Sequence, residues 1–171
     1  MASGFQGTIN SLANYARTIA AGRVQYDEIY KENCHRVYSL AFWMTGNELM
    51  AEQLSANTFL RAFASAAEPT TDNLDRAFLT EVRELTPVGV LTLSCTASAD
   101  SKSIYGNIKR IHLEQAVLAL PQTEKLIFLL HDVEGYEHGK IAFLLGITET
   151  ESQNGLHQAR VYVRTLVSQM L

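Results

Sequence analysis

The sequence predicts an all-α fold: two small helical domains joined by a linker, the C-terminal one a helix-turn-helix. Three observations carry this. Apolar residues recur at three- and four-residue steps through nearly every segment, which is the period of one helix face. Glycine, proline and capping residues fall between those segments, where helices stop and start. The run Thr96 to Ser103 is small, polar and non-periodic, the composition of a flexible tether. The expected organisation is an N-terminal extension over 1–23, a helical domain over 24–95, a linker over 96–107 and a second helical domain over 108–171.

In the first domain, Tyr26, Ile29, Tyr30, Val37, Leu40, Ala41 and Met44 share a face of one long helix. Gly46-Asn47 ends it, because glycine tolerates the left-handed conformation. A second helix is expected from about Glu48 to Ala66, with Leu49, Leu54, Thr58, Phe59, Ala62 and Phe63 on its buried side. Glu68 to Asn73 is a loop, with Asp72 or Asn73 as the N-cap of a third helix over Leu74 to Leu85. That helix carries Leu74, Phe78, Val82 and Leu85 at helical spacing. The following VGVLTLSC is β-branched and strand-like by propensity. A lone strand has nothing to pair with, so a short helix or an irregular packed segment is expected there.

The second domain opens with a helix over about Tyr105 to Leu120, apolar at Ile108, Ile111, Ala116, Val117 and Leu120. Pro121 suits the first position of the next helix, where its missing N–H costs nothing; Gly135 marks that helix's end. A short helix over Glu137 to Leu145 leads into the turn Gly146-Ile147. Thr148, with Glu151 three residues on, predicts a capping box at the start of a last helix reaching about Met170. Residues 1–23 carry Ile9, Leu12, Ala16 and Ile19 at helical spacing, the pattern of a helix that could fold back on one domain.

Composition narrows the function classes. No apolar run approaches the roughly 18 residues a membrane span needs, and the N-terminus lacks the pattern of a secretory signal; a soluble, cytoplasmic protein is expected. Cys34 and Cys95 are far apart, and neighbouring Cys34 and His35 diverge by about 100° on a helix, so no metal site is expected. His112, His131, His138 and His157 occur outside any catalytic pattern, and no nucleophile elbow, phosphate-binding loop or zinc-protease motif is present. Neither an enzyme nor a cofactor is expected. The net charge is −4; residues 24–95 contribute −5 and residues 109–171 contribute −1. Neither half has the basic stripe of a stand-alone DNA binder.

The segment GKIAFLLGITETESQNGLHQAR has the rhythm of a helix-turn-helix: small Ala142 at the crossing, a Gly-apolar turn, and Leu156 anchoring the second helix. Two separated blocks then resemble one family. AEQLSANTFLRAF at 51–63 resembles region 2 of bacterial sigma factors of the extracytoplasmic-function group. LEQAVLALPQTEKLIFLLHDVEGYEHGKIAFLLGITETESQNGLHQAR resembles that group's region 4, which reads the −35 promoter element. The resemblance covers roughly residues 24–85 and 108–168.

It implies a transcription initiation factor with no chemistry of its own, whose partners are core RNA polymerase, promoter DNA and an anti-sigma factor. On it, Leu54, Asn57, Phe59 and Arg61 correspond to polymerase-binding positions, and Thr148, Gln153, Asn154, His157, Arg160 and Arg164 to DNA-binding positions. Leu54 and Phe59 fit a helix core equally well. The departures from the family pattern lie at Gln53, Ala56 and Asn57 in the first block, where it is near AEDLTQETFLRAW. In the last helix they lie at Gln153, Gly155 and Gln158, where it is near SEGTVKSRLHRAR. The stretch FLTEVRELTPVGVLTLSC, from within the third helix onward, has Arg83 as its only base, beside Glu81 and Glu84, where a strongly basic strip would read the −10 element. Fewer cations mean fewer phosphate contacts. The alternative is therefore a divergent sigma-like protein-interaction module with lost or weakened promoter binding.

Overall fold

The computed structural model describes residues 25–65, 69–94 and 108–171. The N-terminal stripe, the 96–107 linker and the expected helix start at Tyr105 lie outside the described residues. All regular structure among the described residues is helical: α1 (25–45), α2 (Glu48–Ser65), α3 (Thr71–Leu85), α4 (Arg110–Leu118), α5 (Gln122–Phe128), α6 (His138–Leu145) and α7 (Glu149–Gln169).

Helices α1, α2 and α3 pack together in the N-terminal half. Val37, Leu40, Ala41 and Met44 of α1 meet Ala51, Leu54, Phe59 and Ala62 of α2 and Leu74, Phe78 and Val82 of α3 in a core that continues into the buried residues of α4 to α7. Gly46 turns the chain at φ 65°, and the Asn47 side chain accepts the Met50 N–H to start α2. The start of α3 differs from the expectation. The cap is Thr70, whose hydroxyl accepts the Asn73 N–H while the Asn73 side chain accepts the Thr70 N–H. Asn73 thus acts from the third helical position. The apolar stripes overreach at their edges: Tyr30, Leu49 and Leu85 are exposed, since periodicity marks a face but not how far the neighbouring helix covers it.

In the C-terminal half α7 is the central element, packed against α4, α5 and α6. Pro121 is the cap of α5 and not its first residue, and its carbonyl accepts the Lys125 N–H. A π turn over Leu129–Val133 extends α5 and wraps the chain toward Gly135. Gly146 (φ 71°) terminates α6 in the left-handed conformation, which only glycine adopts without strain. Ile108 and Ile111 are exposed, while Ala116, Val117 and Leu120 carry the inward face.

After α3 the chain is irregular and packed. Thr86 to Ser94 lies against α5, held by hydrogen bonds to Thr123 and Glu124. The N-terminal and C-terminal helices also meet directly through α3 and α6. Arg83 donates to the carbonyls of Leu144 (3.0 Å) and Leu145 (3.2 Å), capping the negative end of α6. Arg36 pairs with Asp75 at 2.8 Å and with Glu134 at 3.3 Å, and Tyr136 donates to Asp75 at 2.7 Å. Lys140 reaches both Asp72 and Asp75 and lies 3.9 Å from the centre of the Tyr136 ring. The acids counted against DNA binding in the first domain are in part the glue between the two.

Candidate nucleic-acid interface

The turn between α6 and α7 positions the site. At its end the Thr148 hydroxyl accepts the Glu151 N–H (3.1 Å), and the Glu151 carboxylate accepts the Thr148 N–H (2.7 Å), the capping box read from the sequence. The Thr148 backbone N–H and then its hydroxyl hold the Glu151 carboxyl below the usual range. Thr148 is thus committed to the helix start, although it remains exposed. Inward, α7 buries Ser152, Gly155, Leu156, Ala159, Val163 and Val167. The His138 imidazole sits 3.0 Å from the Ser152 hydroxyl and fixes the start of α6 against it.

Outward, Gln153, His157, Arg160 and Arg164 follow one another at four-, three- and four-residue steps, so they form a single exposed stripe, with exposed Asn154 beside it. Gln153 and Asn154 near the N-terminal end carry the amide groups that pair with adenine edges. The stripe is less basic than its sequence. Arg160 is held in a two-pronged ion pair by Asp132, at 2.6 and 3.0 Å. Burial opposes ionisation of Asp132, but hydrogen bonds from Arg160 and His131 outweigh it and lower its pKa. Arg164 has no ion-pair partner among the described residues. Arg160 and Arg164 also border an apolar groove of about 250 Å³ lined by Ile108, Leu113, Phe128, Val163 and Val167.

Gly155 explains one departure from the family pattern. A Cβ there would lie 2.6 Å from the Ile127 side chain and 2.8 Å from that of Leu91. The position faces inward, under the segment that follows α3, so a long cation would have no room to reach DNA without displacing Leu91. Gln153 and Gln158 receive no such account from packing.

On the N-terminal domain the four sequence-derived positions separate. Leu54 and Phe59 are buried and build the core, although an edge of Phe59 borders a groove of about 600 Å³ with Tyr30, Cys34, Tyr38 and Leu60. Asn57 is exposed. Arg61 is engaged by Glu81 at 2.5 Å and Glu84 at 2.6 Å. The acids that seemed to repel a phosphate backbone here serve to orient a cation of α2.

Asp132, Thr123, Glu124 and Leu91 were not legible as site residues. Asp132 lies 28 positions from Arg160, and the π turn that aims it has no periodic signature. Glu124 stands in the first turn of a helix, where an acid is usual, yet it is fully buried.

Residues 110–162 match the family described as Sigma-70, region 4, which takes in α4 to most of α7. Over 159 residues the chain is 24% identical to the ECF RNA polymerase sigma factor SigE of Mycolicibacterium smegmatis, covering 84% of this chain and 62% of that protein. The chain thus spans less than two thirds of that relative's length.

Proposed function

We propose that this chain, a sigma-like protein of the extracytoplasmic-function type, is a transcription initiation factor that binds core RNA polymerase and directs it to promoter DNA. The observation that carries the proposal is a coincidence of position. The residues that match region 4 are those that fold around α7, and α7 turns Gln153, Asn154, His157 and Arg164 to solvent. In this reading α7 lies in the major groove at the −35 element, its amides addressing base edges and its cations the backbone. The N-terminal domain docks on polymerase through the exposed side of α2, with Asn57 and the Glu-held Arg61 as contacts. Polymerase performs all the chemistry. An anti-sigma partner belongs to the same reading. Among the described residues no helix is long and apolar enough to cross a membrane.

A second reading is favoured by the fate of the arginines. With Arg160 tied to Asp132 and Arg61 to Glu81 and Glu84, few cations remain to meet phosphate, as a protein-interaction module would have it. Retention of core polymerase on the immobilised chain, followed by a salt titration of promoter binding, separates the two. The first reading expects polymerase retention and promoter-dependent affinity with a shallow salt slope. Polymerase retention without promoter preference would favour the second.

A further inference from the structure

The groove of about 600 Å³ between α1 and α2 is an open apolar surface. Tyr30, Cys34 and Tyr38 stand four residues apart on α1 and form one wall; Ala56 and Leu60 stand likewise on α2 and form the other. Leu60 is 69% exposed and Tyr30 50%. At the end nearest the start of α1 the surface is aromatic. The rings of Tyr26 and Phe63 lie 4.9 Å apart, those of Tyr30 and Phe59 4.9 Å, and those of Phe59 and Phe63 5.7 Å. Contiguous apolar surface of this kind marks a place where another segment packs.

Where the chain enters names one occupant. Residue 25 opens α1, and Tyr26 and Tyr30 lie in its first two turns, so the preceding residues arrive at the aromatic end of the groove. Phe5, Ile9, Leu12, Ala16 and Ile19 recur at four- and three-residue steps, which on a helix is one apolar face of about 21 Å. From the Tyr26–Phe63 pair to Tyr38 the groove runs about 18 Å along α1. Between the two, residues 20–24 (AAGRV) span up to about 17 Å, enough to reverse direction and lay that face back along α1 and α2.

Charge selects the same occupant. Residues 1–23 hold Arg17 and Arg23 and no acid. Glu52 belongs to the groove wall; exposed Asp27, one turn before Tyr30, and exposed Glu48, one turn before Glu52, stand on the same edges. The arginines of α1 and α2 do not offset these acids. Arg36 is turned to Asp75 and Glu134, and Arg61 to Glu81 and Glu84. The apolar groove beside α7 is bordered instead by Arg160 and Arg164, the wrong sign for a basic segment. We propose that residues 5–19 dock in the α1–α2 groove of their own chain, apolar face inward and Asn10 and Asn14 outward. This site stands whether or not the sigma-like reading does.

Cys34, in the groove wall, is the reporter. In the full chain with Cys95→Ser it is the thiol that remains, and its rate of reaction with an aromatic disulfide reagent follows its access. Ile9→Asp with Leu12→Asp should raise that rate several-fold, while Asn10→Asp with Asn14→Asp, the same charge change on the opposite face, should leave it unchanged. Circular dichroism confirms equal folding. As a second measurement, Ile9→Cys, Leu12→Cys and Ala16→Cys are oxidised one at a time in the Cys95→Ser chain. At least one should form a disulfide with Cys34 inside a single chain, and Asn10→Cys and Asn14→Cys should not. Equal thiol rates in the parent and the Ile9→Asp, Leu12→Asp variant, or equal bridging from both faces, overturns the docking. Protection that vanishes on dilution, with the bridges formed between chains, assigns the groove to a second copy and overturns it as well.

Discussion

Removing Asp132 tests whether Arg160 is held away from DNA. The two hydrogen bonds between them are short, but the Arg160 side chain is 54% exposed and that of Asp132 22%. Solvent screening leaves such a pair worth about 0.5–1 kcal/mol, so Asp132→Ala should fold nearly as well as the parent. Its effect on DNA is larger in kind. One freed cation that reaches a phosphate steepens the dependence of log K on log salt by about 0.9. Between 50 and 200 mM salt that unit is an additional loss of roughly 3.5-fold. Fluorescence anisotropy of a labelled duplex across that range is the assay, with tighter binding at the low-salt end expected for Asp132→Ala. Arg160→Ala should change little in the parent and cancel the gain in the Asp132→Ala background. Equal slopes for parent and Asp132→Ala would refute the restraint, because Arg160 would then reach phosphate despite its partner.

Four further outcomes are expected. Asp75→Asn removes an anion shared by Arg36, Tyr136 and Lys140 at a site whose side chain is 5% exposed; a stability loss of about 2–3 kcal/mol should appear in thermal unfolding. Gly155→Val meets Ile127 and Leu91 head-on and should cost about 1–3 kcal/mol by overpacking, whereas Gly155→Ala gains about 1 kcal/mol of helix propensity against the same clash and should be near neutral. Thr148→Ala loses half of the capping box of α7 and should lower stability by about 1 kcal/mol. Stability should fall towards both ends of the pH range, below the ordinary carboxyl values and above the ordinary amine and phenol values. On the acid side, Asp132 and Glu151 have depressed pKa values, so their contribution is present above the unfolded carboxyl value and fades as pH falls through the folded one. On the alkaline side, burial and then the bond to Asp75 raise Tyr136; Lys140 is raised because hydrogen bonds to Asp72 and Asp75 outweigh its burial. Their contribution is present below the unfolded values and is lost as pH climbs past them. Melting temperature against pH checks both limbs.

The helices were legible in the sequence because their stripes, caps and glycines agree. Thr148 with Glu151, and Gly146 before them, marked the turn into α7 correctly. The outward positions of α7 were legible too, since Leu156 fixes the buried face and the rest follows from helical geometry. What lay hidden was everything that depends on the packing of one domain against the other. Glu124 looks like an ordinary first-turn acid until Thr92 and Leu93 are laid over it. Gly155 looks like a lost cation until Leu91 occupies its space. The acids of α3 look like repulsion until Arg61, Arg36 and Lys140 are brought to them from other helices. Pairings across 20 to 98 positions leave no periodic trace, because each partner is locally an unremarkable surface residue.

The most direct measurement is a reconstituted transcription reaction with core polymerase, a linear template bearing a candidate promoter, and this chain as the sole added factor. A discrete transcript that requires the chain, and that falls sharply for Gln153→Ala with Asn154→Ala, is the expected result. Core polymerase held by the chain, with no start-site-specific product from any template selected by its binding, would contradict a role in initiation.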